Sequence, residues 1–276
     1  MFSAMTLTAR CSGLAVRCSL IAVAIAVPAY AEAATCDGLK SLTLPDATVD
    51  SVQMVAAGTF TQPGARAGRG SAMADLPAFC RVAITSRPSS DSDIKIEVWL
   101  PAENWNQKYQ AVGNGAWTGS IAYPAMADAL RRGYATSSTD TGHVGGSASF
   151  AMGHPEKAID FAYRSEHEMV LKSKAVVNAF YGSMPKYSYW NGCSAGGRQA
   201  LKEAQMFPTD FDGIIAGSPG SDWSGRSAQG VRLSHLSEKD GARLSPAHLK
   251  LLHDAVVNAC DAHDGVKAPT QGPSTR

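Results

Sequence analysis

The stretch Gly192-Cys193-Ser194-Ala195-Gly196-Gly197 decides the fold of this 276-residue chain, because its first five residues read G-x-S-x-G. In that pattern a serine sits on a sharp turn between a strand and a helix, where its hydroxyl acts as a nucleophile. The flanks fit this context, since residues 186–191 predict a short strand and residues 198–206 predict a helix of good helix formers. An ordinary glycine-rich turn is the alternative interpretation.

Strands alternate with helices on both sides of this turn, which is typical of an α/β fold. We therefore predict an α/β-hydrolase-type, mostly parallel sheet flanked by helices, preceded by a peripheral β-rich region from residue 36 to about 90. Ser165 and Ser245 are the predicted N-caps of their helices, the second with Pro246 at its first position. The predicted strands are 94–100, 109–112, 133–138 and 211–217, and the other predicted helices are 123–132, 165–181 and 245–260.

The amino terminus predicts a secretory signal peptide over residues 1–33. Arg10 and Arg17 precede the apolar run 20–27, and Ala29-Tyr30-Ala31 matches a cleavage site. The alternative is a membrane anchor, but that run is far shorter than the roughly 20 residues that a span requires. We therefore expect a secreted or periplasmic protein without membrane association after cleavage. The formal net charge of +1 gives no sign of a nucleic-acid partner, and residues 268–276 are predicted to be disordered.

Four cysteines remain after the predicted cleavage, in a compartment where disulfides are expected. They are Cys36, Cys80, Cys193 and Cys260. Four cysteines allow three pairings, and the sequence does not choose among them. A zinc site is not expected, because no C-x-x-C or matched Cys/His spacing is present.

A serine nucleophile needs two backbone N–H donors for the oxyanion and a histidine base that a carboxylate orients. Ala195, directly after the serine, is the first predicted donor. Gly115, in the glycine-rich segment 113–119, is the second, with an ordinary turn as the alternative. In α/β-hydrolases the acid and the histidine follow the serine in the chain. None of the later histidines stands in a convincing context, so the triad is incomplete; they are His235, His248, His253 and His263.

Together these segments resemble the tannase and feruloyl esterase family, from about Cys36 to Lys267. The most specific stretches are Val112-Gly113-Asn114-Gly115, then Ser138-Thr139-Asp140-Thr141-Gly142-His143, and residues 189–219 around the serine. The resemblance implies a carboxylesterase that cleaves esters of aromatic acids through an acyl-enzyme on Ser194. It further implies Ala195 and Gly115 as oxyanion donors, a Cys36–Cys80 disulfide and no organic cofactor.

The resemblance also implies a structural calcium ion, for which hard oxygen ligands are suited. Asp261, Asp264 and the carbonyl of Val266 match the first part of the family's calcium loop. Ala268 and Thr270 stand where two further ligands are expected, so the predicted loop is incomplete. A solvated loop is the alternative interpretation of this segment.

The family pattern continues with a lid domain and a distal segment that carries the catalytic Asp and His, and this sequence contains neither. We therefore expect a partial hydrolase domain over residues 34–267, with turnover at or near background. The rival hypothesis is a catalytically incompetent fragment. A different hydrolase chemistry, such as a peptidase, has no support in the residues. The last parallel strand, near Ile214 and Ile215, is expected to expose an apolar edge, which promotes aggregation.

Overall fold

The computed structural model describes residues 33–64, 73–239, 241–261 and 263. The predicted signal segment up to residue 32, part of the predicted loop 63–70 and the predicted tail 268–276 lie outside this part. One seven-stranded sheet forms the centre of the molecule, in the order β1-β2-β3-β5-β4-β6-β7. The strands are β1 Ala47–Val55, β2 Phe79–Ser86, β3 Ile94–Pro101, β4 Lys108–Val112, β5 Ala135–Thr139, β6 Tyr187–Cys193 and β7 Gly213–Gly217.

The sheet is mixed, with a parallel half that carries the signature turn. β5, β4, β6 and β7 pair in parallel, whereas β1, β2 and β3 pair antiparallel, and β3 meets β5 antiparallel. Five of the seven strands therefore run in one direction, and the predicted α/β-hydrolase-type, mostly parallel sheet is confirmed. The β-rich region before residue 90 supplies β1 and β2 and extends the sheet beyond β3.

Six α-helices accompany the sheet within the described residues. They are α1 Tyr123–Arg131, α2 Pro155–Ile159, α3 Ser165–Tyr181, α4 Ala195–Met206, α5 Trp223–Ser237 and α6 Pro246–Cys260. α6 begins as predicted, since the Ser245 hydroxyl accepts the His248 N–H at 3.2 Å and Pro246 occupies the first position. None of the described helices combines the length and the apolar composition that a bilayer crossing requires.

The prediction that Ser165 caps a helix is wrong. The helical run begins ten residues earlier, at Pro155, and passes through a π-helical turn from Asp160 to Arg164 before α3. Arg164 already has helical angles, φ −68° and ψ −37°, so Ser165 lies inside the run. Its buried hydroxyl donates to the Glu166 carboxylate at 3.0 Å instead. Pro155 is the residue that indicates where the helical run begins, because proline is favoured at the first position of a helix.

The core consists of two hydrophobic clusters, one on each face of the sheet, because successive residues of a strand point to opposite faces. One cluster includes Ile84, Val98, Tyr109 and Trp190, and the other includes Phe79, Trp99, Met126 and Leu130. All of these side chains are essentially inaccessible to solvent. The predicted Cys36–Cys80 disulfide is confirmed, with Cα atoms 5.7 Å apart, and it ties the first turn of the domain to β2.

β7 forms an edge of the described sheet, as the sequence predicted for the strand at Ile214 and Ile215. Ile215 is 63% exposed, whereas Ile214 packs against the core. We expect Ile215→Lys to reduce self-association without lowering Tm, because a charge on an exposed edge discourages strand pairing. Light scattering across a concentration series, together with a thermal melt, measures both effects. Ile214→Lys is the matched control and should lower Tm; unchanged self-association in Ile215→Lys would contradict the prediction.

Candidate functional site

The carboxyl ends of the four parallel strands lie along one edge of the sheet. β4 runs into Gly113, β5 into Asp140, β6 into Ser194 and β7 into Ser218. In open α/β sheets ligands bind in the crevice outside these strand ends. The fold therefore brings the segments singled out in the sequence, at residues 113–119, 138–143 and 189–219, to one place.

Ser194 occupies a strained turn between β6 and α4. Its φ of 59° and ψ of −115° are unusual for a residue with a side chain, and such strain costs about 1–3 kcal/mol. The turn is held from both sides, because the Ser194 N–H donates to the Gly217 carbonyl at 3.0 Å and its own carbonyl accepts the Arg198 N–H at 3.0 Å. The residue is exposed. Within the described residues its hydroxyl forms no hydrogen bond, so it is free to meet a ligand.

The turn after β4 packs directly against the start of α4. A Cβ on Gly113 would lie 2.5 Å from the Cα of Gly196, closer than real side chains approach. The Gly196 N–H donates to the Asn114 carbonyl at 2.8 Å. Glycine is required at this contact because only a chain without Cβ atoms brings the two backbones together.

Two backbone amides on these segments have no hydrogen-bond partner among the described residues. Neither the Gly115 N–H nor the Ala195 N–H donates a hydrogen bond within the described part of the chain. Gly115 is exposed and Ala195 opens the helix that follows the serine. Unsatisfied N–H groups beside a helix N-terminus favour an anion. The arrangement therefore offers a nucleophilic hydroxyl and two amide donors on neighbouring segments.

The segment after β5 anchors the far side of the 113–119 turn. The His143 Nε2–H donates to the Trp117 carbonyl at 2.8 Å, and the Gly119 N–H donates to the Gly145 carbonyl at 2.7 Å. Asp140 accepts the Lys95 and Gly142 N–H groups, yet burial raises the pKa of its carboxyl to about 6. His143 precedes the serine in the chain, and its structural role depends on the Trp117 carbonyl, 26 residues away.

Aromatic rings flank the same edge of the sheet. The Trp117 ring lies 5.0 Å from Phe161, nearly parallel to it, and 5.0 Å from Trp223, edge to face. The Arg198 guanidinium lies over Phe161 at 4.9 Å and donates to the Phe161 and Ala162 carbonyls. Sequence analysis did not predict this cluster or helix α5, which begins at Trp223. The Asp222 side chain, which caps α5 through the Gly225 N–H, was its only start signal.

No described histidine is hydrogen-bonded to Ser194. His143 is hydrogen-bonded to the Trp117 carbonyl, His154 to the Asp91 carboxylate, and His167 to the Asp210 carboxylate at 2.7 Å. His248 belongs to the capping box of α6, and His253 lies exposed on the same helix. The described residues thus bring together an exposed serine hydroxyl and two backbone amides, with no described histidine hydrogen-bonded to that hydroxyl.

The predicted calcium loop falls almost entirely outside the described residues. Asp261 follows α6, whereas Asp264 and Val266 are not described. In the described part no group of three or more His, Cys, Asp or Glu side chains is placed to hold a metal ion. The calcium site therefore remains a prediction, and no chemistry is derived through it. Cys193 and Cys260, left over by the disulfide, are both free and exposed.

A buried acid lies on α4 behind the serine. Glu203 is 1% exposed, and burial, with the nearby Glu166 and Asp210 carboxyls, raises its pKa to about 9. Among the described residues, its Oε2 has no hydrogen-bond partner. In the unfolded chain this carboxyl loses its proton near pH 4.5. The folded state therefore holds a proton that the unfolded state has released, and stability falls as the pH rises from about 4.5 to about 9.

We expect Glu203→Gln to remove this pH dependence. Each unit of pKa difference corresponds to about 1.4 kcal/mol, so Tm should rise by several degrees at pH 8 and change little at pH 4.5. Thermal melts across this pH range measure the effect, and Glu238→Gln, at an exposed glutamate after α5, is the control. A pH slope equal to that of the wild type would contradict the prediction.

The family model described as tannase and feruloyl esterase matches residues 80–269, which include β3 to α6, Gly115 and Ser194. The chain belongs to the tannase and feruloyl esterase family. An uncharacterized esterase of Xanthomonas campestris pv. campestris is 42% identical over 254 residues, which are 89% of this chain and 42% of that protein. A probable feruloyl esterase B-2 of Neosartorya fischeri is 36% identical over 255 residues, which are 90% of this chain and 48% of that protein.

Solved structures of the tannase and feruloyl esterase family share the fold. Feruloyl esterase B from Aspergillus oryzae superposes with a TM-score of 0.77 at 34% identity, over 84% of this chain and 46% of that one. Tannin acyl hydrolase from Aspergillus niger gives a TM-score of 0.66 at 26% identity, over 82% and 43%. The chain therefore spans about half the length of the relatives it matches.

Proposed function

We propose that this chain carries the nucleophile half of a serine carboxylesterase active site, with Ser194 as nucleophile and Gly115 and Ala195 as oxyanion donors. The observation that carries the proposal is the exposed, strained Ser194 beside two backbone amides that have no hydrogen-bond partner among the described residues. The names of the relatives, which are esterases, feruloyl esterases and a tannin acyl hydrolase, support ester hydrolysis.

The reaction follows from this arrangement. The Ser194 Oγ attacks the ester carbonyl carbon, its proton passes to a base, and the carbonyl oxygen becomes an oxyanion. The Gly115 and Ala195 N–H groups bind that oxyanion better than the neutral carbonyl, which lowers the barrier. Collapse of the intermediate releases the alcohol and leaves an acyl group on Oγ, which water then removes. The described residues place no base at Oγ, so we expect acylation to be slow.

The substrate class that we propose is esters of aromatic acids. The names of the feruloyl esterase and tannase relatives point to that class. The rings of Trp117, Phe161 and Trp223 stand at the edge of the sheet where the acyl group would bind, and flat rings favour stacking against an aromatic acyl group. Comparing the acylation of Ser194 by p-nitrophenyl ferulate and p-nitrophenyl acetate tests this preference.

A catalytically incompetent chain is the second candidate, favoured by the absence of a described histidine at Ser194 Oγ. The reaction with p-nitrophenyl acetate distinguishes the esterase from the incompetent chain. Ser194-dependent release of p-nitrophenol supports the esterase, whereas equal rates for the wild type and Ser194→Ala support the second candidate.

We further propose that the chain is secreted or periplasmic. The signal-like segment 1–33 and the Cys36–Cys80 disulfide support this, because disulfides persist in oxidising compartments. Fractionation of an expressing bacterial cell with N-terminal sequencing tests it. We expect a mature chain that starts between Glu32 and Thr35; an intact chain in the cytoplasm would contradict the proposal.

A further inference from the structure

Gln199 lies on α4 and joins three segments beneath the candidate site. It is 1% exposed. Its Oε1 accepts the Asn114 N–H at 3.0 Å, and its Nε2 donates to the Asn114 Oδ1 at 3.2 Å and to the Glu166 carboxylate. Both ends of the Gln199 amide thus hold Asn114, the residue before Gly115, across 85 positions of sequence.

The peptide between Asn114 and Gly115 is where this contact has its effect. The Asn114 carbonyl and the Gly115 N–H belong to one planar unit and point in opposite directions. The carbonyl end is fixed, since it accepts the Gly196 N–H at 2.8 Å. The Asn114 side chain is fixed as well, because its Nδ2 donates to the Ser120 and Thr139 carbonyls at 2.9 and 2.8 Å. The direction of the Gly115 N–H therefore depends on where Asn114 is held.

Glu166 fixes the orientation of the Gln199 amide. This carboxyl is 1% exposed, and its other oxygen accepts the Ser165 hydroxyl at 3.0 Å. A carboxylate oxygen that accepts the Gln199 Nε2 excludes the flipped amide, which would set two oxygens against each other. The Gln199 Oε1 consequently faces the Asn114 N–H. Each polar group of the Gln199 side chain has a partner, so the network is complete and rigid.

We propose that Gln199 is a positioning residue that directs the Gly115 N–H into the oxyanion site. It does not touch the reacting atoms, and it acts through Asn114. The inference rests on the proposed role of Gly115 as the second oxyanion donor.

Gln199→Met tests the proposal, because methionine keeps the length and volume of the side chain without its hydrogen bonds. We expect about a 10²-fold loss in the rate constant for acylation of Ser194 by p-nitrophenyl acetate, with the apparent affinity for the ester little changed, since losing one oxyanion donor costs 10²–10³-fold. Binding of phenylboronic acid, which forms a tetrahedral adduct on serine without turnover, should weaken to a similar degree. Amide hydrogen exchange over residues 113–119 should accelerate.

Gln205→Met is the matched control, because it makes the same substitution at an exposed glutamine of the same helix, so it should keep the acylation rate constant within about threefold of the wild type. A wild-type acylation rate constant together with wild-type phenylboronic acid affinity in Gln199→Met would overturn the proposal. Amide hydrogen exchange over residues 113–119 at the wild-type rate in Gln199→Met would also overturn it. Equal losses of acylation in both variants, accompanied by a fall in Tm, would overturn it as well. A wild-type chain that does not bind phenylboronic acid counts against the proposed function, and the exchange comparison then still decides whether Gln199 orders the turn.

Discussion

Ser194→Ala should reduce the acylation of this chain by p-nitrophenyl acetate by about 10³-fold or more, to the rate of the unfolded chain. Loss of the nucleophile removes the covalent step. Without a complete triad, an oxyanion hole and substrate binding together accelerate the reaction by about 10³–10⁴-fold over water. The change should leave the fold intact, because Ser194 is exposed and its side chain forms no hydrogen bond in the described part of the chain. Stopped-flow release of p-nitrophenol, with intact mass of the acylated chain, measures the loss.

Ser218→Ala is the matched control for this substitution. Ser218 is also exposed, also has a positive φ, of 37°, and also follows a parallel strand at the same edge of the sheet. It lacks a helix that begins at the next residue, so we expect wild-type acylation. An equal loss in both variants would contradict the role of Ser194.

The second large effect is expected at Gly113, in the turn that carries Gly115. A Cβ on Gly113 would lie 2.5 Å from the Gly196 Cα, 3.0 Å from the Gln199 Oε1 and 3.2 Å from the Trp190 ring. Two of these neighbours are buried side chains and one is backbone, so the turn must move away from α4. Overpacking of this kind costs about 1–3 kcal/mol, or about 2–4 °C in Tm per kcal/mol for a chain of this size.

We therefore expect Gly113→Ala to lower Tm by several degrees and acylation of Ser194 by about 10²-fold, because a shift of about 1 Å in an oxyanion donor is that costly. Gly115→Ala, two residues away, is the control. A Cβ there meets nothing within 4 Å and the N–H donor is kept, so Tm and acylation should stay near wild type. Thermal melts and acylation rates for the pair measure both effects. Wild-type Tm and wild-type acylation in Gly113→Ala would contradict the close contact between the turn and α4.

The parallel half of the fold could be predicted from local sequence. β6, the turn at Ser194 and α4 follow from one glycine pattern with a strand-like and a helix-like flank. Outside that half, the sequence of β3 alternates apolar and charged residues from Ile94 to Val98, and α6 has its cap and its proline in the expected positions. These elements are predictable because their signals lie within a few residues of each other.

The features that sequence reasoning missed depend on contacts between distant residues. Gln199 and Asn114 are 85 positions apart, and His143 meets the Trp117 carbonyl across 26. The start of the α3 run was misplaced because a π-helical turn let helical geometry continue through Arg164. α5 contains Gly225, Gly230 and several serines, which are poor helix formers, so its propensity gave little sign of a helix.

The most direct test of the central claim is covalent labelling of the folded chain with a fluorophosphonate, followed by intact mass and peptide mapping. The phosphonyl oxygen occupies the position of an ester oxyanion, so the reaction needs both the hydroxyl of Ser194 and the two amide donors. We predict one adduct per chain, on Ser194, absent from Ser194→Ala and absent when the wild type is unfolded in guanidinium chloride. Labelling that is absent from the folded wild type, spread over several serines, or unchanged in Ser194→Ala would contradict the account.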